Sequence, residues 1–242
     1  MTRFIFTSRA GGVSVSPFAT FNLASHVGDD PVAVAQNRVL LADSLGIAQN
    51  RIFFMNQVHG KQVAIIDEKS DVNQPPEADA LFTKIKDVAL VTLVADCIPV
   101  LMTSKDAVAA VHVGRRGLSL DIISEVLGIF ESNGVGKREI TAHIGPAICA
   151  KCYEVGVDVY QEVIATVPAA ATSFNSQSGK PCLNIEAGLI SQLESNGVKW
   201  ESINRCTMHD SGYFSYRRDG ITGRQAGVVT LAPAETASPK EV

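Results

Sequence analysis

The stretch VALVTLVADCIPVLMTSKDAVAAVHVGRRG, residues 88–117, decides how this chain reads. Its β-branched runs ALVTLVA (89–95) and AVAAVHV (107–113) have the composition of buried strands. After the first run, Asp96, Cys97 and Pro99 break what would otherwise be uniform core. The second run ends on His112 beside Gly114, Arg115, Arg116 and Gly117. A buried acid requires a partner, and strand ends are where sites are built. Asp96, Cys97 and His112 are therefore the first candidates for chemistry.

Further β-branched runs at 3–8, 51–58, 62–67, 139–145, 202–208 and 226–232 predict strands. A helix is expected over 29–47, where Asp30 can cap, Pro31 fits the first turn, Val34, Leu40, Leu41 and Leu45 are apolar, and Gly46 can stop it. Others are expected over 118–134, 155–167 and 184–198. Strands come in runs with helices interspersed, which points to an α+β fold with mixed, helix-covered sheets rather than a doubly wound parallel sheet. No linker and no internal repeat divides the chain, so residues 1–242 are expected to form a single domain.

A 46% hydrophobic, 19% charged composition is that of an ordinary globular protein. A net charge of −4 with 6% aromatics and no basic stripe argues against nucleic acid as partner. The most apolar segment, VALVTLVADCIPVLM, is shorter than a membrane span, and the N-terminal apolar run is too short for a secretory signal. No membrane association and a cytoplasmic location are the expectations. AGGVS and GRRG lack the glycine spacing of dinucleotide or Walker loops. Five cysteines at irregular spacing do not form a disulfide framework, which leaves core, metal-ligand and nucleophile roles.

Of five histidines, His59 (NQVHG), His112 and His143 (TAHIGP) fall near glycine at expected strand ends. If Cys97, His59 and His112 converge, one thiolate and two imidazoles suit Zn²⁺ and leave a fourth position open. The same groups suit a thiolate nucleophile whose pKa a neighbouring imidazole depresses. An inert buried cysteine and hydrogen-bonded core histidines fit the spacing as well.

The ordered series TSRAGGVS, FNLASHVGDDP, NQVHG, ADALFT, VADCIPVL, AVHVGRRG, IGPAICAKCYEVG and FSYRRDGITGRQAG resembles the YfiH-like family. That family is also called the multicopper polyphenol oxidase or laccase domain, and its members are described as purine nucleoside phosphorylases with adenosine deaminase activity. The resemblance runs from Arg3 to about Val229. It implies a layered α/β/β/α domain with Zn²⁺ held by His59, Cys97 and His112. It also implies a purine nucleoside (adenosine, inosine, guanosine or methylthioadenosine) and phosphate as partners, with free base and ribose 1-phosphate as products. Where the family usually has tryptophan after the glycine of its HxG motif, this chain has Arg115, which exchanges a flat apolar wall for a charge.

Phosphate binding calls for arginine, whose planar fork is suited to it, and Arg9 and Arg116 are the leading contacts, with Arg217, Arg218 and Arg224 behind them. Asn22 is a candidate for the ribose or base edge and His143 for the pocket wall. Asp96 is a candidate catalytic group, orienting a ligand imidazole or accepting a proton. His26 and His209 read as surface residues, and the CAKC pair Cys149 and Cys152 lacks a second pair or a thioredoxin-like setting. Two competing functions remain at this level. One is a Cys97–His112 hydrolase or amidase acting on peptidoglycan precursors; the other is a copper polyphenol oxidase, which would call for more histidines.

Overall fold

Strands buried at every residue need cover on both faces. Ala89–Val94, Ile98–Thr103 and Val108–Val113 are such strands, and two sheets packed face to face, each backed by helices, supply the cover. The structure is a computed structural model that describes residues 2–231. Its strands are β1 (Thr2–Phe6), β2 (Ile52–Phe53), β3 (Val63–Ile66), β4 (Ala80–Thr83), β5 (Ala89–Val94), β6 (Ile98–Thr103), β7 (Val108–Val113), β8 (Thr141–Ile144), β9 (Lys199–Ser202) and β10 (Gln225–Leu231). The helices are α1 (Pro31–Leu45), α2 (Arg115–Ser119), α3 (Ile122–Ser132), α4 (Val157–Thr166), α5 (Ile185–Ser195) and α6 (Tyr216–Asp219).

One sheet has the order β1-β10-β5-β2 and the other β3-β4-β7-β6-β8-β9, both mixing parallel and antiparallel pairs. Phe53, Leu81, Leu90, Leu101, Ala110 and Val229 fill the layer between them. Leu41, Ala42 and Leu45 of α1 pack on Val91 and Val228 behind the four-stranded sheet. Val126 and Phe130 of α3, Val163 of α4 and Leu189 of α5 pack with Phe82, Val100 and Val111 behind the six-stranded one. This is the expected α+β fold in an α/β/β/α layering. No helix among the described residues is long and apolar enough to cross a membrane.

The stretch 88–117 holds the main surprise. β5 pairs with β10 and β2 in one sheet, while β6 pairs with β7 and β8 in the other. Ala95-Asp96-Cys97 is thus the crossing between sheets, with Asp96 at a φ of 99°, a value L-residues rarely adopt. The expected helix 118–134 divides into α2 and α3, because Asp121 turns left-handed (φ 55°) and its carboxylate caps α3 by accepting from Ser124 N. The expected strand 202–208 is instead β9, ending at Ser202, followed by a loop that bonds to β8 through Ile203 N to Ile144 O (3.1 Å) and then makes the isolated Ala147–Cys206 bridge. β4, inside ADALFT, and β6, which begins right after Cys97, are strands that the sequence reading did not include.

Candidate active site

His112 is the penultimate residue of β7 and sits opposite Pro99 of β6, so the strand register alone draws it toward Cys97 at the sheet crossing. His59 arrives on the loop after β2. The Gln57 side chain fastens that loop to β5, donating to Leu93 O (2.8 Å) and accepting from Leu93 N (2.8 Å). His59 itself is left-handed, with a φ of 58°. The donor atoms of His59, Cys97 and His112 all lie within 4.8 Å of one another. Cys97 Sγ is 3.9 Å from His59 Nε2, and the two imidazoles meet edge to face at 4.7 Å. Of the three, His112 is buried and His59 exposed, so the cluster opens to solvent on the His59 side.

Asp79 holds this arrangement and was not singled out from the sequence. Fully buried, it accepts from His112 Nδ1 (2.8 Å) and from the backbone N–H groups of Gly60 (2.6 Å), His59 (3.0 Å) and Val58 (3.2 Å). One carboxylate therefore orients one imidazole and the loop that carries the other. Burial opposes its charge, but the hydrogen bonds from His112 and Gly60 outweigh that and lower its pKa. With Nδ1 occupied, Nε2 is the free nitrogen of His112, which is how a metal-ligating histidine is commonly prepared. Gly114 completes the cradle. A Cβ there would stand 2.9 Å from the His59 ring and 3.3 Å from Cys97 Sγ, so only glycine leaves the three donors their common point.

Burial alone would push the Cys97 thiol up, yet the neighbouring His112 charge and hydrogen bonds from His112 and His59 bring it down to about 6. Burial likewise disfavours a charged His112, but Cys97 and Asp79 raise it to about 9. Without an ion, the two shifts favour a thiolate on Cys97 beside an imidazolium on His112. A thiolate and two imidazoles within reach of one point, one side open, fit a borderline-soft divalent ion.

The remaining candidates divide. The Asp96 carboxylate is taken by Thr207 Oγ1 (2.6 Å), Ser215 Oγ (2.7 Å) and Arg217 N (2.6 Å), so it fastens the sheet crossing while Asp79 orients the imidazole. Asn22, expected at the substrate, is instead fully buried. Its amide donates to Ala24 O and Asp29 Oδ2 and its oxygen accepts from Ala24 N and Arg224 N, which exhausts its bonding capacity. His143, expected on the pocket wall, lies on β8, two strands or roughly 10 Å across the sheet from β7. Its ring stacks on Phe4 (3.8 Å) and its Nε2 is 3.0 Å from Thr103 Oγ1. Both looked like ligand contacts because asparagine and a strand-end histidine are equally at home in turns and in sites.

Among the arginines, Arg9 Nε donates to Ala19 O (2.9 Å) and its guanidinium lies 4.9 Å from the Phe214 ring, whereas Arg116 is exposed on α2. Arg218 is spent on Thr207 O, Tyr213 O and Asp219. Arg224 is within electrostatic reach of Cys97 and Asp96. Burial and then the Cys97 charge push up the Tyr153 phenol, which also neighbours Arg115 and Arg217. Arg115, in the place of the family's tryptophan, extends to Glu162 of α4 at 3.5 Å. Tyr153 and Arg224 thus lie within electrostatic reach of Cys97, with Arg115 and Arg217 beside Tyr153; of these, Arg217 and Arg224 are arginines that the sequence ranks behind Arg9 and Arg116.

The profile of the family described as multi-copper polyphenol oxidoreductase laccase matches residues 3–232. A Corynebacterium glutamicum protein named as a purine nucleoside phosphorylase is 46% identical over 233 residues, 95% of this chain and 94% of that one. A Haemophilus influenzae protein with the same name is 36% identical over 230 residues, 92% of this chain and 91% of that one. Among solved structures, the Bacillus licheniformis hypothetical protein YfiH superposes with a TM-score of 0.89 at 27% identity, over 95% of this chain and 92% of that one. Neisseria meningitidis protein NMB0706 does so with a TM-score of 0.86 at 34% identity, over 96% and 95%.

Proposed function

This chain belongs to the multi-copper polyphenol oxidoreductase laccase family, and from that premise we propose that it is a purine nucleoside phosphorylase. The observation that carries the reading is the convergence of His59, Cys97 and His112 on one open point, with Arg224 within electrostatic reach of Cys97, in a chain so similar to proteins of that name. In the reaction a phosphate oxygen bonds to C1′ of the nucleoside, the C1′–N9 bond breaks, and its electron pair leaves with the purine, which is protonated to the free base. His59, Cys97 and His112 would hold Zn²⁺, which supplies an electrophile with an open coordination position when bound.

The chain's own side chains supply the rest. Arg224, within electrostatic reach of Cys97, and Arg115 and Arg217, beside Tyr153, bring positive charge for the attacking phosphate; Arg224 Nη1 also donates to Thr222 O (2.8 Å) and Arg217 Nη1 to Glu154 O (2.8 Å), so phosphate would meet their remaining N–H groups. Tyr153, whose pKa is raised, stays protonated at neutral pH and can donate a hydrogen bond to the substrate. Asp79 keeps the His112 tautomer and the His59 loop fixed throughout.

Zinc is the proposed ion rather than the copper of the family's description. A multicopper centre needs more histidines than two, and the other three lie elsewhere: His143 under Phe4, His26 beside Arg224 and Arg38, His209 beside Cys152. The order Cys97–His112–Asp79 has the form of a hydrolase triad. His59, 3.9 Å from the sulfur, is a third donor that a hydrolase does not require, and the named relatives favour phosphorolysis.

Purified protein incubated with adenosine, inosine, guanosine or methylthioadenosine should release base and an equal amount of ribose 1-phosphate only when phosphate is present. Base release without phosphate, or none from any of these nucleosides, would overturn the reading. Adenosine deamination in the same pocket is proposed as a second activity, to be read as ammonia released from adenosine in phosphate-free buffer.

A further inference from the structure

The CAKC pair has a partner after all. Cys149 and Cys152 lie in a tight turn beyond β8, with Cys152 N donating to Cys149 O (3.0 Å). Cys206 and His209 lie in a second turn before α6, with Asp210 N donating to Cys206 O (2.9 Å). The two turns are clipped back to back by Ala147 N to Arg205 O and Thr207 N to Ala147 O, both 3.1 Å. As a result one donor atom from each of Cys149, Cys152, Cys206 and His209 lies within 4.8 Å of the other three. Cys152 Sγ is 3.1 Å from His209 Nε2, and Cys149 N donates to Cys206 Sγ at 3.3 Å.

We propose that these four side chains bind a second Zn²⁺ in a closed, structural Cys₃His site. Tetrahedral Zn–S bonds of about 2.3 Å place sulfurs roughly 3.8 Å apart, a spacing these donors reach with small side-chain rotations. A disulfide between Cys149 and Cys152 would use two donors and leave Cys206 and His209 converging on nothing. Three thiolates and an imidazole fill all four positions, so the ion binds no substrate and its role is to fasten. It adds to those hydrogen bonds in a stretch with little regular structure: no helix or strand lies between β9 and α6, and a loop without a core of its own is the usual setting for a structural metal. The fastening reaches the first cluster. Ile148 N donates to Asp96 O (2.9 Å) and Thr207 Oγ1 to Asp96 Oδ1 (2.6 Å), so both turns grip the residue that precedes Cys97.

Metal content measured after exhaustive gel filtration, without reference to activity, tests this. Wild-type protein should carry about two zinc ions per chain, and Cys206→Ser, His209→Ala and Cys97→Ser about one each. His209 is exposed, so its replacement carries little risk to folding. Should Cys206→Ser not fold, Cys97→Ser protein loaded with Co²⁺ gives the same answer. A near-ultraviolet charge-transfer band of the strength of three thiolate ligands supports the site, and its absence overturns it. Wild-type zinc content retained in both Cys206→Ser and His209→Ala, copper in place of zinc, or a Cys149–Cys152 disulfide in protein purified under reductant would each overturn it as well. Loss of the first site alone would leave these results unchanged in the Cys97→Ser background.

Discussion

His59, Cys97 and His112 differ from Cys149, Cys152, Cys206 and His209 in donor count and in charge, and the difference assigns their roles. One thiolate leaves a divalent ion with net positive charge and a free position; three thiolates and an imidazole leave it negative and saturated. Their settings differ accordingly. The first cluster stands on strand ends and a buried carboxylate, the second on two turns joined by backbone hydrogen bonds through Ala147 and by the cluster's own side chains. Asp96 belongs to both, through its sequence neighbour Cys97 and its bond from Thr207.

Replacing Cys97 with serine should give the largest effect, a loss of roughly 10²–10³ in kcat with the fold retained. Cys206→Ser should instead lower the melting temperature and leave kcat within a few-fold, since it removes a fastening and no reacting group. Equal losses of kcat in the two variants would erase the distinction between the clusters. Asp79→Asn comes next, with a loss of roughly 10–100-fold in metal affinity at the first cluster and none at the second, measured by competition with a chelator.

The clusters should also separate by pH once metal is removed. Cys97 is brought down to about 6, whereas burial, a hydrogen bond with Cys149 and the Cys206 charge push Cys152 up to about 12. Iodoacetamide should therefore modify Cys97 with a rate that rises through pH 6, while Cys152 remains slow at neutral pH, as peptide mapping would show. The depressed Cys97 pKa gives stability that is full above an ordinary thiol pKa of about 8.5 and is lost as pH falls through about 6. The raised His112 pKa gives stability that is full below about 6.5 and is lost as pH rises through about 9. The metal-free pair thus stabilises the fold most between those limits. Asn22→Ala should affect activity least, costing about 1–3 kcal/mol of stability by stranding buried partners while leaving KM for nucleoside unchanged.

What the sequence disclosed follows the range of the forces involved. Helix α1 was legible because Asp30, Pro31 and Gly46 act within one turn of its ends, and the structure shows each in that role. The passage from β5 to β6 was not, because two adjoining apolar runs look alike and their separation depends on distant partners, β10 and β8. His59, Cys97 and His112 stand out as a thiol and two imidazoles at strand ends, though only the family resemblance singles them out as one metal site, and Asp79 was missed although it lies in the quoted ADALFT, because an acid before a short apolar run reads as a turn. CAKC seemed to lack a second pair because its partners, Cys206 and His209, lie 57 residues farther on and follow a Cys-x-x-His spacing.

Anomalous diffraction at the zinc absorption edge, from crystals of the zinc-loaded and phosphorolytically active protein, tests the central claim most directly. A peak should lie about 2.3 Å from Cys97 Sγ and about 2.1 Å from one nitrogen each of His59 and His112, with no fourth protein ligand. An active preparation whose crystals show no ion among those three side chains would contradict it.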